Sequence, residues 1–346
     1  MSLDNALGSL RRYSCELRNG LTNHAPMVAE ALHHLGLDAH IQAWVEAEIP
    51  RCLPRPAARS PINAAAWQTE VGDPQRFSDW VQLFEQSIDE QGWPATVRTW
   101  VPRLTPAFTS AAAHGVIRTG HALRALGGRV TQARRLELAD ALAFWACTFT
   151  TLPVSIGRVE QVPPSAALAS LAPLQLQAQQ RAGSITAALG VLQEDAEFAR
   201  HFDRLATDDE FDQLTLDVAA TFARLFCRAA QSPLQAIVFT HAVTGVAAVR
   251  HIAPYLEQEQ QKLLLQHGFH TGCALYRVYA DHRYEPPVAE AYIPGVEESI
   301  YDALDHGDEH VIKLTDAAIE FTQVTADGFF LTAAESCRRL LPARPR

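Results

Sequence analysis

Histidine is the residue type best placed to do chemistry in this chain. Fourteen occur, several inside apolar runs of helical period, where an imidazole without a partner costs free energy. The first is His24, in Leu21-Thr22-Asn23-His24-Ala25-Pro26-Met27; Pro26 suits the first turn of a helix and sets His24 at its mouth. The second group is His114-Gly115-Val116-Ile117-Arg118-Thr119-Gly120-His121-Ala122. On a helix, His114, Arg118 and His121 share one stripe, flanked by Gly115 and Gly120. The third is His241, whose face also carries Thr244, Gly245 and Ala248, so that small neighbours leave space for an ion or a substrate. The fourth is Asp308-Glu309-His310-Val311-Ile312-Lys313. His310 and Lys313 lie on one side of a helix whose first turn is favoured by the two acids.

On pattern alone two readings of these histidines stand. They are hydrogen-bonded polar links in a helical core, or they converge on a first-row divalent ion, which accepts neutral imidazole readily in a bundle interior. Lysine adds a second signal: of 29 basic residues only Lys262 and Lys313 are lysine. Lys262 stands in the polar run Glu257 to Gln261, whereas Lys313 stands among apolar residues. Glu30-Ala31-Leu32-His33 is half of the motif that a di-iron carboxylate bundle uses, without a second copy. His33, His34 and His40 read as belonging to a helix end, His306, His267 and His270 as loop or cap residues beside glycines, and His282 as a surface residue. Glycine-rich nucleotide fingerprints, a nucleophile elbow and the H-E-x-x-H zinc motif are absent from the sequence.

The elements that must position these groups are helices. Apolar residues at i, i+3, i+4 and i+7 recur along the chain, while alternation of period two is hard to find. The pattern predicts an all-α fold with helices at Pro26–Leu35, Ser78–Gln91, Thr109–Leu126, Ala133–Phe149, Gln213–Ala230, Leu234–Ile252, Glu257–Tyr279 and Asp308–Phe321. Arg51–Pro61 is proline-rich and reads as a surface connection, Gln161–Ser165 as a further break, and the basic end, Arg338–Arg346, as frayed. Neither break carries a long Gly/Ser tract, so residues 1–346 are expected to form one helical domain with a buried polar or metal site between helices.

Composition narrows the function classes. With 48% hydrophobic and 20% charged residues the chain is globular. Its net charge of −10 has the wrong sign for neutralising phosphates, so nucleic acid is not an expected partner. Met1–Ser14 lacks the uninterrupted apolar core of a secretory signal. Ala141–Ile156, uncharged but broken by Pro153, is short for a membrane span, so no membrane partner is expected. Six scattered cysteines without a C-x-x-C pair fit a reducing, cytoplasmic compartment.

Taken in order, Asn23-His24, the His114–Ala122 segment, Thr240-His241-Ala242-Val243-Thr244 and His310-Val311-Ile312-Lys313 resemble the questin oxidase-like family. The resemblance implies an oxygenase that uses O2 on an aromatic, quinone-like small molecule, with ring oxidation or C–C cleavage of Baeyer–Villiger-like outcome. It also implies a mononuclear non-haem Fe(II) centre with His24, His114, His241, His310 and a carboxylated Lys313 as ligands. Arg118 then either orients the substrate or holds an acidic residue near the metal, and His121 either supports a metal ligand or serves proton transfer. NADPH is a candidate reductant, although no motif for it is present. Met27 stands where family members carry a second histidine, so the substrate is not inherited with the resemblance. The competing expectations are a non-catalytic helical protein that binds a small molecule or a partner, and a di-iron oxidase built on Glu30 and His33.

Overall fold

Between its prolines and glycines the chain is rich in Ala, Leu, Gln, Glu and Arg, the residues that lose least on entering a helix. The structure, a computed structural model, describes residues 2–157, 159–181, 183–207, 210–285 and 294–344. It is all-α: sixteen α-helices form among the described residues, beside one two-stranded antiparallel sheet of β1 (Tyr13–Leu17) and β2 (Cys52–Pro54). A three-residue strand such as β2 is too short to show alternation of period two. The chain groups into two compact units, one made of Met1–Thr151 with His251–Gln260, the other of Leu152–Arg250 with Gln261–Arg346.

The first unit contains α1 (Leu3–Leu10), α2 (Ala25–His34), α3 (Asp38–Glu48), α4 (Phe77–Gln91), α5 (Trp93–Leu104), α6 (His114–Gly128) and α7 (Gln132–Cys147). From Glu137 to Cys147 every residue of α7 is buried, as expected of a helix apolar on all sides. It packs against α4 and α6, and α6 in turn against α2. Gly115 makes the α6–α7 approach possible, because a Cβ there would lie 2.7 Å from the Trp145 Cα.

The second unit contains α8 (Pro164–Ser170), α9 (Ile185–Leu189), α10 (Ala196–His201), α11 (Phe211–Ala229), α12 (Pro233–Ile252), α13 (Gln258–Tyr279), α14 (Val296–His306), α15 (Glu309–Thr325) and α16 (Phe329–Leu340). Helices α14, α15 and α16 pack on one another, and α11 lies against α16. Gly272 of α13 faces the Phe222 ring of α11 so closely that a Cβ would meet Cζ at 2.1 Å.

Three expectations change. The helix predicted from Thr109 begins only at His114, because Ala111, Ala112 and Ala113 are left-handed. His267 and His270 are buried inside α13 rather than capping it. The basic end is not frayed at its start: Arg338 and Arg339 lie in α16 and both bind Glu335, Leu341 is buried, and the Arg344 amide donates to the His306 carbonyl. Residues 345–346 lie outside the described residues. Among the described residues, Pro233–Tyr255 is long and apolar enough to cross a membrane by length and composition; 83% of its apolar window is buried, as in a core helix.

Candidate metal centre

His24 is the N-cap residue of α2. Its backbone is fixed by Asn23, whose amide side chain donates to the Ser14 carbonyl (3.0 Å) and accepts from the Ala25 N–H (3.1 Å). The Asn23 backbone N–H donates to the Cys15 carbonyl of β1, so the small sheet is what anchors the mouth of α2. His114 opens α6. The two imidazoles meet Nε2 to Nε2 at 2.7 Å, ring planes at 71°, and both residues are buried.

The tautomer of His114 follows from its other nitrogen. Nδ1 lies within hydrogen-bond distance of the Ala111 carbonyl, which only accepts, so Nδ1 carries the proton and Nε2 of the neutral ring holds a lone pair. This is the state a metal-ligating imidazole needs. It depends on an unusual turn: Ala111, Ala112 and Ala113 have φ of 47°, 58° and 68°. Left-handed backbone costs an L-residue about 1–2 kcal/mol, and alanine is the strongest right-handed helix former. The surroundings hold the turn in place. Trp145 Nε1 donates to the Ala107 carbonyl at 2.9 Å, Ser110 Oγ accepts from the Thr150 N–H, and the tight Gly115–Trp145 contact fixes the next residue of α6.

In the second unit, α14 ends at Gly307, left-handed at φ 75°, and Asp308 caps α15 by accepting from the His310 and Val311 amides. This corner places His310 in the first turn of α15, 5.6 Å between ring centroids from His241 of α12. An ion pair between Arg250 and Glu320, 2.6 Å, ties α12 to α15. Ligand atoms of Asp308, Glu309 and His310 lie within 4.8 Å of one another. One turn further along α15, Lys313 is 1% exposed, and its Nζ has no hydrogen-bond partner. It forms no hydrogen bond with Asp316 or Glu309, the acids nearest in sequence. Burial pushes its amine down to about 8, against a weaker upward pull from Glu309 and Asp308.

Arg118 and His121 are bound to carboxylates. Arg118 grips Glu137 of α7 with Nε and Nη2 at 2.7 and 2.9 Å, both residues buried. Of its two expected roles, holding an acidic residue is the one its geometry matches. His121 Nδ1 donates to Glu30 Oε2 at 2.6 Å, and Arg124 closes on the same carboxylate. Burial would raise the Glu30 carboxyl, but Arg124 and His121 reverse this and hold it well below the usual carboxylate range. His33, the other half of the Glu30-Ala31-Leu32-His33 motif, turns to the half-exposed Asp38 at 2.7 Å. Glu30 as the partner of His121, Glu137 and Arg124 were missed as site residues. The only available signal was an acid inside an apolar helix, which demands a partner.

Chemically, then, each unit supplies a buried histidine pair, and the second adds an amine that burial has made easy to deprotonate. No curated protein sequence matches the chain. The family pattern described as questin oxidase-like matches residues 21–318. The chain therefore belongs to the questin oxidase-like family, a family of oxidoreductases.

Proposed function

We propose that the protein is a mononuclear non-haem iron oxygenase acting with O2 on an aromatic, quinone-like small molecule, with ring oxidation or C–C cleavage as the outcome. The observation that carries the reading is Lys313, a buried amine without a hydrogen-bond partner one turn from a buried histidine pair. His24, His114, His241, His310 and Lys313 would hold the ion. Four neutral imidazoles suit a divalent first-row metal. The neutral Nζ of Lys313 adds to the carbon of carbon dioxide and loses one proton, giving an anionic carbamate whose oxygen is a hard ligand. A cation beside it would stabilise that anion, so carboxylation and metal binding support each other.

Iron(II) in this set would supply the electron that lets ground-state dioxygen react with a closed-shell ring. The remaining groups are the chain's own. Arg118, locked to Glu137, fixes the rotation of α6 and with it the direction of His114. His121, held through Nδ1 by Glu30, has Nε2 as the nitrogen that accepts or returns a proton. NADPH, or another reductant, would act through a partner or by direct reduction of the substrate, since the sequence has no nucleotide fingerprint.

The test is metal analysis of anaerobically purified protein together with oxygen uptake over a panel of polycyclic phenols and quinones. The reading expects about one iron per chain and uptake that depends on it. Absence of bound metal would leave a non-catalytic binding protein, and two irons per chain would restore the di-iron reading. Lys313→Ala should lose iron while keeping its helical circular dichroism, with partial rescue by acetate, and His241→Ala separates failure of the lysine assignment from failure of the whole site.

A further inference from the structure

We propose that the left-handed turn Ala111–Ala113 is a positioning device that sets the tautomer and aim of His114. It rests on the metal reading above only for its purpose, not for its geometry. Three consecutive alanines at φ 47°, 58° and 68° stand where the sequence, Thr109-Ser110-Ala111-Ala112-Ala113-His114, would otherwise extend α6 by a turn. In a regular right-handed extension the Ala111 carbonyl would point along the helix axis toward the backbone N–H of residue 115. The left-handed turn redirects it: the carbonyl accepts from His114 Nδ1, and the His114 backbone N–H also points to it at 3.3 Å. One backbone oxygen thereby fixes both the main chain and the ring of His114, leaving Nε2 as the unprotonated nitrogen directed at His24 Nε2, 2.7 Å away. Strain kept at such a point is the pattern of pre-organisation. What opposes relaxation is tertiary: Trp145 bound to Ala107, Thr150 bound to Ser110, and α7 packed against Gly115.

The test uses the full chain and begins without metal. Nitrogen-15 shifts of the His114 ring, assigned by the signal lost in His114→Gln, should show the Nδ1–H tautomer in the wild type. The Nε2–H tautomer would overturn the proposal by itself. Ala111 is only half-buried, which leaves room for two substitutions of opposite effect. Ala111→Gly accepts the left-handed backbone without strain and should melt higher than the wild type with the Nδ1–H tautomer retained. Ala111→Val, β-branched and disfavoured there, should melt lower, show mixed tautomers and bind Co2+ about tenfold more weakly. A glycine variant that melts lower, or a valine variant with the wild-type tautomer and Co2+ affinity, overturns it. Should the valine variant fail to fold, the wild-type tautomer and the glycine melting point still decide. If the tautomer shifts as expected but the wild type binds no metal, the positioning stands and the iron reading falls; if the wild type binds metal while the tautomer ignores the turn, the reverse holds.

Discussion

The two units differ in a buried cation: Arg118 and Arg124 of the first meet carboxylates, whereas Lys313 of the second forms no hydrogen bond, although Arg277 in that same unit is paired with Asp195 and Glu197. In the first, Arg118 has Glu137, Arg124 has Glu30, and the buried Asp140 of α7 has Arg55. In the second, Lys313 lies buried without a hydrogen bond, and His267 and His270 are held neutral, burial pushing them down to about 4 and about 3. His270 donates from Nε2 only to the Pro153 carbonyl and stacks on Phe198 at 4.1 Å between centroids. Buried pairs hold structure in one place but are inert. A buried group left without its counter-charge is easily shifted between protonation states, and that is the condition chemistry needs.

The sharpest way to break this contrast is Lys313→Met. If the lysine is chemical rather than structural, iron content and oxygen uptake should fall to background while stability holds or rises, since an apolar side chain suits its site. A metal content equal to wild type would put Lys313 in the same class as the paired charges. Next in size is Glu137→Ala, which strands the Arg118 guanidinium in the interior and should cost about 3–5 kcal/mol in urea unfolding. Arg118→Met with Glu137→Leu removes both charges and should recover most of that loss. A loss under about 1 kcal/mol for the single change would show that water reaches the pair.

The histidines of α13 sharpen the comparison through pH. Their folded values lie below the ordinary 6.5, so the unfolded chain binds more protons between roughly pH 6.5 and 4. The contribution of these two histidines should be flat above 7 and fall as the pH drops through this window, with a slope approaching ~2.7 kcal/mol per pH unit for two protons. Urea midpoints taken across pH 4–8 measure it, and His270→Gln should reduce the slope by about half. Smallest is Glu30→Gln. Keeping the shape but losing the charge opposite Arg124 and His121, it should cost roughly 1–3 kcal/mol. Because Glu30 is held ionised, its contribution is present above the ordinary carboxylate range and vanishes as the pH falls through its lowered value; a variant difference independent of pH would deny the charge any part in it.

Much of the framework is legible in the sequence. Apolar spacing, Pro26 and the acids Asp308 and Glu309 are local signals, and they place most ends of the helices that carry His24, His241, His310 and Lys313 within two residues of those observed. The start of α6 was misread for an equally physical reason: three alanines prefer the right-handed helix, and nothing within Thr109–His114 announces that Trp145 and Thr150 will hold the backbone in the other hand. His267 and His270 were misassigned because Gly268 beside them resembles a cap, whereas α13 runs straight through.

The amino-acid sequence by itself determined the helical class, the stripe that joins His114, Arg118 and His121, and the rarity that singled out Lys313, all of them consequences of local periodicity and composition. Which acid each cation meets was decided only by tertiary structure. Glu30 and His121 stand 91 positions apart, Arg118 and Glu137 19 apart on different helices, and the packing of α2 and α7 on α6 brings them within hydrogen-bond reach. The same packing selects the hand of the Ala111–Ala113 turn, since a backbone preference of a few kcal/mol yields when the neighbouring helices supply the contacts that only the disfavoured conformation can make.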